Sequence, residues 1–166
     1  MDKENIIFMD GEYAELKPDG IDLLSIALIK PTGEELYIEI EFEGKIGQWE
    51  KENVLPKFTE KKISKDKAVE LIKEFVGNKK PYLIAYVNQF DWIGICKLFN
   101  VKNVEDISNL PFNIIPIDFA SILFDKGIKP ELSLLKIAEN LGINISNIKE
   151  HNALDDTRLL KQIYEK

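Results

Sequence analysis

Three β-type stretches crowd the first 42 residues, and they commit the chain to a sheet before any helix is reached. Ile6-Ile7-Phe8-Met9 is a short apolar run that stops at Asp10-Gly11, the pattern of a buried strand ending at a polar edge. Residues 21–29 are too long and too rich in β-branched side chains for a loop, and Pro31-Thr32-Gly33 supplies the turn that follows. Apolar positions 36, 38, 40 and 42 then alternate with polar ones, which predicts an edge strand with one wet face.

Helical spacing takes over downstream. Residues 43–59, with Gly44, Gly47 and Pro56, read as a long connection, after which Ser64 caps a helix with apolar positions 68, 69, 71, 72, 75 and 76. A strand over 82–87 gives out at Asn88 and feeds an apolar-rich helix over 90–99. Residues 114–117 read as a fifth strand, confined to an edge by Pro116. Helices are expected over 119–125, over 132–141 with Gly142 closing it, and over 152–164. The order βββ-α-β-α-β followed by helices predicts an α/β arrangement, with helices packed on a mixed sheet and a site at the carboxyl ends of its strands.

The length of 166 residues fits one domain over 1–166, at about 150 residues per domain. With 45% apolar and 31% charged residues the chain has the balance of a folded protein with a real core. Cys96 is its single cysteine, which excludes an internal disulfide and a cysteine-based zinc site and suits a reducing compartment. No apolar run reaches the ~18 residues of a membrane span. Met1-Asp2-Lys3-Glu4-Asn5 is not a signal peptide, so a soluble cytoplasmic protein is expected. The formal charge of −7 argues against a non-specific polyanion binder, which would neutralise phosphates with excess Lys and Arg.

Acidic residues carry the chemistry. Asp10-x-Glu12 lies at the end of the first strand, Asp91 follows the fourth, and His151-Asn-Ala-Leu-Asp-Asp156 opens the last helix. Residues 10 and 12 of an extended strand point to one side, so both carboxylates can converge. A neighbouring central strand would deliver Asp91 to the same edge, and a last helix crossing that face would add Asp156. At an effective dielectric of about 20, two unit charges ~4 Å apart cost about 4 kcal/mol, so four such groups need a cationic partner. Hard oxygen ligands without thiols select Mg2+ or Mn2+, and a pair of such ions is the clamp of phosphoryl chemistry.

The set Asp10-x-Glu12, Asp91 and His151-x-Ala153-x-x-Asp156 resembles the three motifs of DEDDh 3'-5' exonucleases, in the family's order and over nearly the whole chain. That is the ribonuclease T superfamily, whose fold is RNase H-like. Gly47-Gln48-Trp49, Val54-Leu55-Pro56-Lys57 and the stretch from Ala85 through Asp91 to Leu98 are similar to a narrower group, the small bacterial 3'-5' exoribonucleases. The resemblance implies a mixed five-stranded sheet flanked by helices and two Mg2+ or Mn2+ ions. It also implies release of nucleoside monophosphates from RNA 3' ends, and, since relatives often pair, a homodimer.

By that resemblance Asp10, Glu12, Asp91 and Asp156 hold the metals and His151 is the general base. Histidine, with an ordinary pKa of about 6.5, suits proton transfer near neutrality. Asp155 and Asp156 point about 100° apart on a helix, so one of the two is expected to ligate, and the family pattern puts the ligand at Asp156. Many relatives continue their first motif with Thr-Gly, whereas this chain reads Glu12-Tyr13-Ala14-Glu15-Leu16. By position Tyr13 resembles the residue whose backbone meets the 3' end, and Leu16 the wedge beneath the last base. Tyr13, Phe90 and Trp92 are stacking candidates, with core packing as the alternative. Lys57, Lys61, Lys62, Lys65 and Lys67 form a basic stretch suited either to a substrate backbone or to solvent. Arg158 is the only arginine, which leaves little bidentate phosphate recognition. Two alternatives stand beside the exoribonuclease: an exonuclease for single-stranded DNA, and a non-catalytic acidic module that binds metal or a partner.

Overall fold

Strand β1 (Ile6–Tyr13) is the middle of the sheet and the axis of the molecule; the computed structural model describes residues 5–15, 21–131 and 133–166. β1 pairs antiparallel with β2 (Leu23–Ile29), which pairs antiparallel with β3 (Glu35–Glu39). On its other side β1 pairs parallel with β4 (Tyr82–Ala85), and β4 pairs parallel with β5 (Ile117–Asp118). The order β3-β2-β1-β4-β5 is a mixed five-stranded sheet, as the strand pattern and the family resemblance imply.

Between the strands run α1 (Gln48–Asn53), α2 (Lys65–Val76), α3 (Gln89–Leu98) and α4 (Val104–Ile107), and after β5 come α5 (Phe119–Asp125), α6 (Leu134–Asn140) and α7 (Ala153–Glu165). They cover the sheet on both faces. Ile7 and Met9 of β1 point into a core shared with Ala68 and Ile72 of α2 and Ile95 of α3. Ile6 and Phe8 point the other way, into a core with Phe119, Ile137, Leu159, Leu160 and Ile163 from α5, α6 and α7. The period of two along β1 therefore fixes which layer each later residue of the strand faces.

Several boundaries differ from the sequence pattern, each for a local reason. β1 does not stop at Asp10-Gly11 but runs to Tyr13, because β2 keeps pairing with it through Asp10↔Ala27, Glu12↔Ser25 and Tyr13↔Leu23. The connection after β3 holds α1 and a 3-10 turn over Leu55–Lys57. α1 has no buried residue, so it carries no apolar period to read. The polar side of β3 is wet at Glu35 but not at its end: Glu39 is 1% exposed, and its carboxylate accepts the amides of Thr59 and Glu60 and the hydroxyl of Tyr37. β4 ends at Ala85, and Val87 takes a left-handed φ of 58° in the turn that follows. β5 has two residues rather than four, since Pro116 has no N–H for a ladder and Ile114 and Ile115 are exposed. The sequence pattern leaves α4 unread; it is one turn long and opened by a capping box between Asn103 and Asp106. The expected helix start at Leu132 lies outside the described residues; α6 itself begins at Leu134.

Ile72, fully buried in the α2 layer, tests the assignment of this face. Ile72→Ala is expected to cost about 2–5 kcal/mol in urea unfolding, and Ile93→Ala, on the exposed side of α3, less than about 0.5 kcal/mol.

Candidate active site

Asp10 and Glu12 continue the Ile6–Phe8 side of β1 and so face the layer that contains α7. The last helix meets them there. Its N-cap is Asn152, whose side-chain oxygen accepts the amide of Asp155, and its first turn carries Asp156. Oxygens of Asp10, Glu12 and Asp156 all lie within 4.8 Å of one another, although the residues come from opposite ends of the chain. They line an open cleft of about 230 Å³ together with Tyr13, Trp49, Glu50 and His151.

Asp91 reaches this cluster from behind. It sits in the first turn of α3, is 3% exposed, and accepts the Tyr13 hydroxyl at 2.6 Å and the backbone amide of Gly11. It is not one of the tight trio, but its charge bears on Asp10 and Glu12. Gly11, between the two strand carboxylates, has no room for a side chain: a Cβ there would stand 2.6 Å from Leu23 and 3.2 Å from the Tyr13 hydroxyl. Gly94 likewise lets α3 lie against Leu23 and Tyr13.

Desolvation dominates the electrostatics. Burial, reinforced by Asp156, Asp91 and Glu12, raises Asp10 well above the usual carboxylate range. Burial and then Asp156 and Asp91 push Glu12 up to about 8, with the ammonium of Lys57 pulling the other way. Asp91 and Asp156 each rise to about 7 by burial; the Tyr13 hydroxyl restrains the first, and the amide of His151, 2.9 Å from Asp156 Oδ2, restrains the second. All-oxygen donors that resist ionisation when left alone are the donor set a hard divalent cation satisfies, so the residues fit Mg2+ or Mn2+. The oxygens of Asp10, Glu12 and Asp156 are close enough together to share one ion, and the charge of Asp91 bears on the first two.

The structure separates the neighbouring acids of α7. Asp155 accepts Arg158 Nη1 at 3.1 Å and the amide of Lys149 at 3.2 Å, away from the trio. His151 lines the cleft with a 38% exposed side chain and a left-handed φ of 63°. Tyr13 is half-buried with its hydroxyl committed to Asp91, a use the sequence does not announce. Trp92 packs against the α2–α3 core, Phe90 is exposed, and neither lines the cleft. Leu16 lies outside the described residues. Lys65 pairs with Asp22 and Lys67 with Glu70, while Lys57 donates to the carbonyl of Glu150 and its charge bears on Glu12. Arg158 is occupied by both oxygens of Glu35 on β3, at 2.9 and 2.6 Å.

Trp49 is the site residue that sequence reasoning passed over. Half-exposed at 51%, it stands edge-to-face with His151 at 4.9 Å between ring centroids. The one signal for it is its place in the Gly47-Gln48-Trp49 segment, which the sequence offers only as a resemblance.

Among solved structures, the Mg2+- and Mn2+-bound form of Pop2p from S. pombe is similar over 98% of this chain and 82% of its own, with a TM-score of 0.73 at 15% identity. E. coli Exonuclease I in complex with a dT13 oligonucleotide gives a TM-score of 0.72 at 16% identity over 96% of this chain, which spans 40% of Exonuclease I. A product-bound exonuclease I structure gives 0.70 at 16% identity, with 96% of this chain and 42% of that one covered. No family model and no curated protein matches the sequence. The fold is therefore that of the RNase H-like exonucleases.

The raised carboxylates make stability fall with pH. Unfolded, these groups lose their protons near pH 4; folded, they keep them to about pH 7–8, so the folded state binds more protons in between and stability is lost as pH rises through that window. In EDTA the melting temperature is expected to drop between about pH 5.5 and pH 8.5, and Mn2+ to reverse the drop, most at the alkaline end. Thermal melts at both pH values with and without Mn2+ check this; a midpoint that rises with pH in EDTA contradicts it.

Proposed function

We propose that this chain is a divalent-metal-dependent 3'-5' exonuclease that releases nucleoside monophosphates from the 3' ends of single strands, with RNA as its substrate. The observation that carries the reading is the convergence of Asp10, Glu12 and Asp156 beside His151 in one open cleft. In this reading Asp10, Glu12, Asp91 and Asp156 hold two Mg2+ or Mn2+ ions. When bound, such a pair lowers the pKa of a water and stabilises charge on the leaving oxygen.

The chain's own groups do the rest. The imidazole of His151 accepts a proton from the attacking water and, being exposed at the cleft, releases it to solvent. The Tyr13 hydroxyl and the Gly11 amide fix Asp91, and the His151 amide fixes Asp156, so ligand and base are oriented by one short segment. The exposed ring of Trp49, in the cleft wall, offers apolar surface to bases. An acidic protein can meet a polyanion in this way because bound cations, not surface lysines, face the phosphate.

RNA is favoured by the segments around Trp49, Leu55 and Cys96 that resemble the small bacterial exoribonucleases. Single-stranded DNA is the second reading, because the similar Exonuclease I fold holds a dT13 oligonucleotide. 5'-labelled RNA and DNA of matched sequence, incubated with Mn2+, separate the two. RNA is expected to shorten one nucleotide at a time from its 3' end; Asp10→Ala should abolish the reaction, and His151→Ala should lower kcat about 100-fold or more. Activity that survives Asp10→Ala contradicts the metal site, and a loss below about tenfold in His151→Ala removes the general base.

A further inference from the structure

We infer that Lys57 is a positioning residue that holds His151 at the cleft by clamping the segment on both sides of it. The inference rests on the proposed role of His151, but its first readout does not require activity.

Two hydrogen bonds cross between Lys57 and the 150–152 segment in opposite directions. Lys57 Nζ donates to the carbonyl of Glu150 at 3.1 Å, and the Asn152 side-chain amide donates to the carbonyl of Lys57 at 3.3 Å. His151 lies between those anchors, and its own amide donates to Asp156 Oδ2 at 2.9 Å. Each of three consecutive residues is thus tied down. The middle one needs it, since a φ of 63° is a left-handed conformation that a histidine adopts only where its surroundings impose it.

The clamp has a fixed base. Lys57 ends the 3-10 turn Leu55–Lys57, and the amides of Thr59 and Glu60 just beyond it donate to the buried carboxylate of Glu39 at 2.6 and 2.9 Å. The other end of the same connection carries Trp49, whose ring meets the imidazole edge-to-face. The 48–60 connection therefore holds the histidine from two directions: Trp49 touches the ring and Lys57 sets the backbone. The charge of the ammonium also bears on Glu12.

The test uses the whole chain and compares Lys57→Met, which removes the donors, with Lys57→Arg, which restores a cationic donor. His151 is the only histidine, so its imidazole signals are identified in an NMR spectrum without assignment of the rest. Without metal, contacts between the imidazole protons and the Trp49 indole are expected in the parent protein and in Lys57→Arg, and to be lost in Lys57→Met while the methyl signals of the core persist. With Mn2+ and a labelled strand, Lys57→Met should lower kcat about tenfold or more with KM changed less than about twofold, and Lys57→Arg should recover most of it. Should Lys57→Met fail to fold, Lys57→Ala, which also lacks a donor, is read by the same two measurements. Intact ring contacts in the neutral variant overturn the inference, as does a rise in KM at unchanged kcat, which would make Lys57 a substrate contact. A chain without nuclease activity that still loses the ring contacts would defeat the proposed function and leave the clamp standing.

Discussion

Mutual repulsion among desolvated carboxylates is the constraint around which the rest of this molecule is arranged. β1 is apolar for four residues and then puts Asp10 and Glu12 on the face already used by Ile6 and Phe8, where α7 brings Asp156 against them. A strand that only had to build a sheet would continue with apolar side chains there. The fold instead closes over acids whose proton affinities all rise, Asp10 by desolvation above all. Such a cluster is tolerated when protonated or when cations occupy it, and only the second state is open to hydrolytic chemistry near neutral pH.

The groups around the cluster orient it more than they neutralise it. Tyr13, on the opposite side of β1 from Glu12, reaches Asp91 past a glycine that has no space for a side chain. The amide of His151 meets Asp156, so the same residue supplies a ring to the cleft and a backbone donor to an acid. Arg158 is spent on Glu35 and Asp155, which fastens α7 to the edge strand β3 and keeps Asp155 out of the trio. The charge of Lys57 bears on Glu12 and works against the mutual repulsion.

Much of this was legible in the sequence because it depends on local periodicity. The period of two put Asp10 and Glu12 on one side of a strand, the apolar spacing of residues 68–76 and 154–163 marked α2 and α7, and the order of the acidic motifs carried the family resemblance. What escaped depends on residues far apart in the chain. Glu39 looks like the wet side of an edge strand until the amides of Thr59 and Glu60 fold onto it. Trp49 lies in a connection whose helix buries nothing, so no hydrophobic pattern points to it, and Lys57 reads there only as part of a basic stretch. The length of β1 was hidden because its last residues are polar, and only pairing with β2 extends it.

The central claim is that the carboxylate cluster holds divalent cations in place of the protons it otherwise keeps. Calorimetric titration with Mn2+ near pH 6.5, in two buffers of different ionisation enthalpy, tests it most directly. The account predicts saturable binding whose apparent heat differs between the buffers, because each ion displaces protons, and loss of that binding in Asp10→Asn. Absence of saturable binding, or binding that Asp10→Asn leaves unchanged, would contradict it.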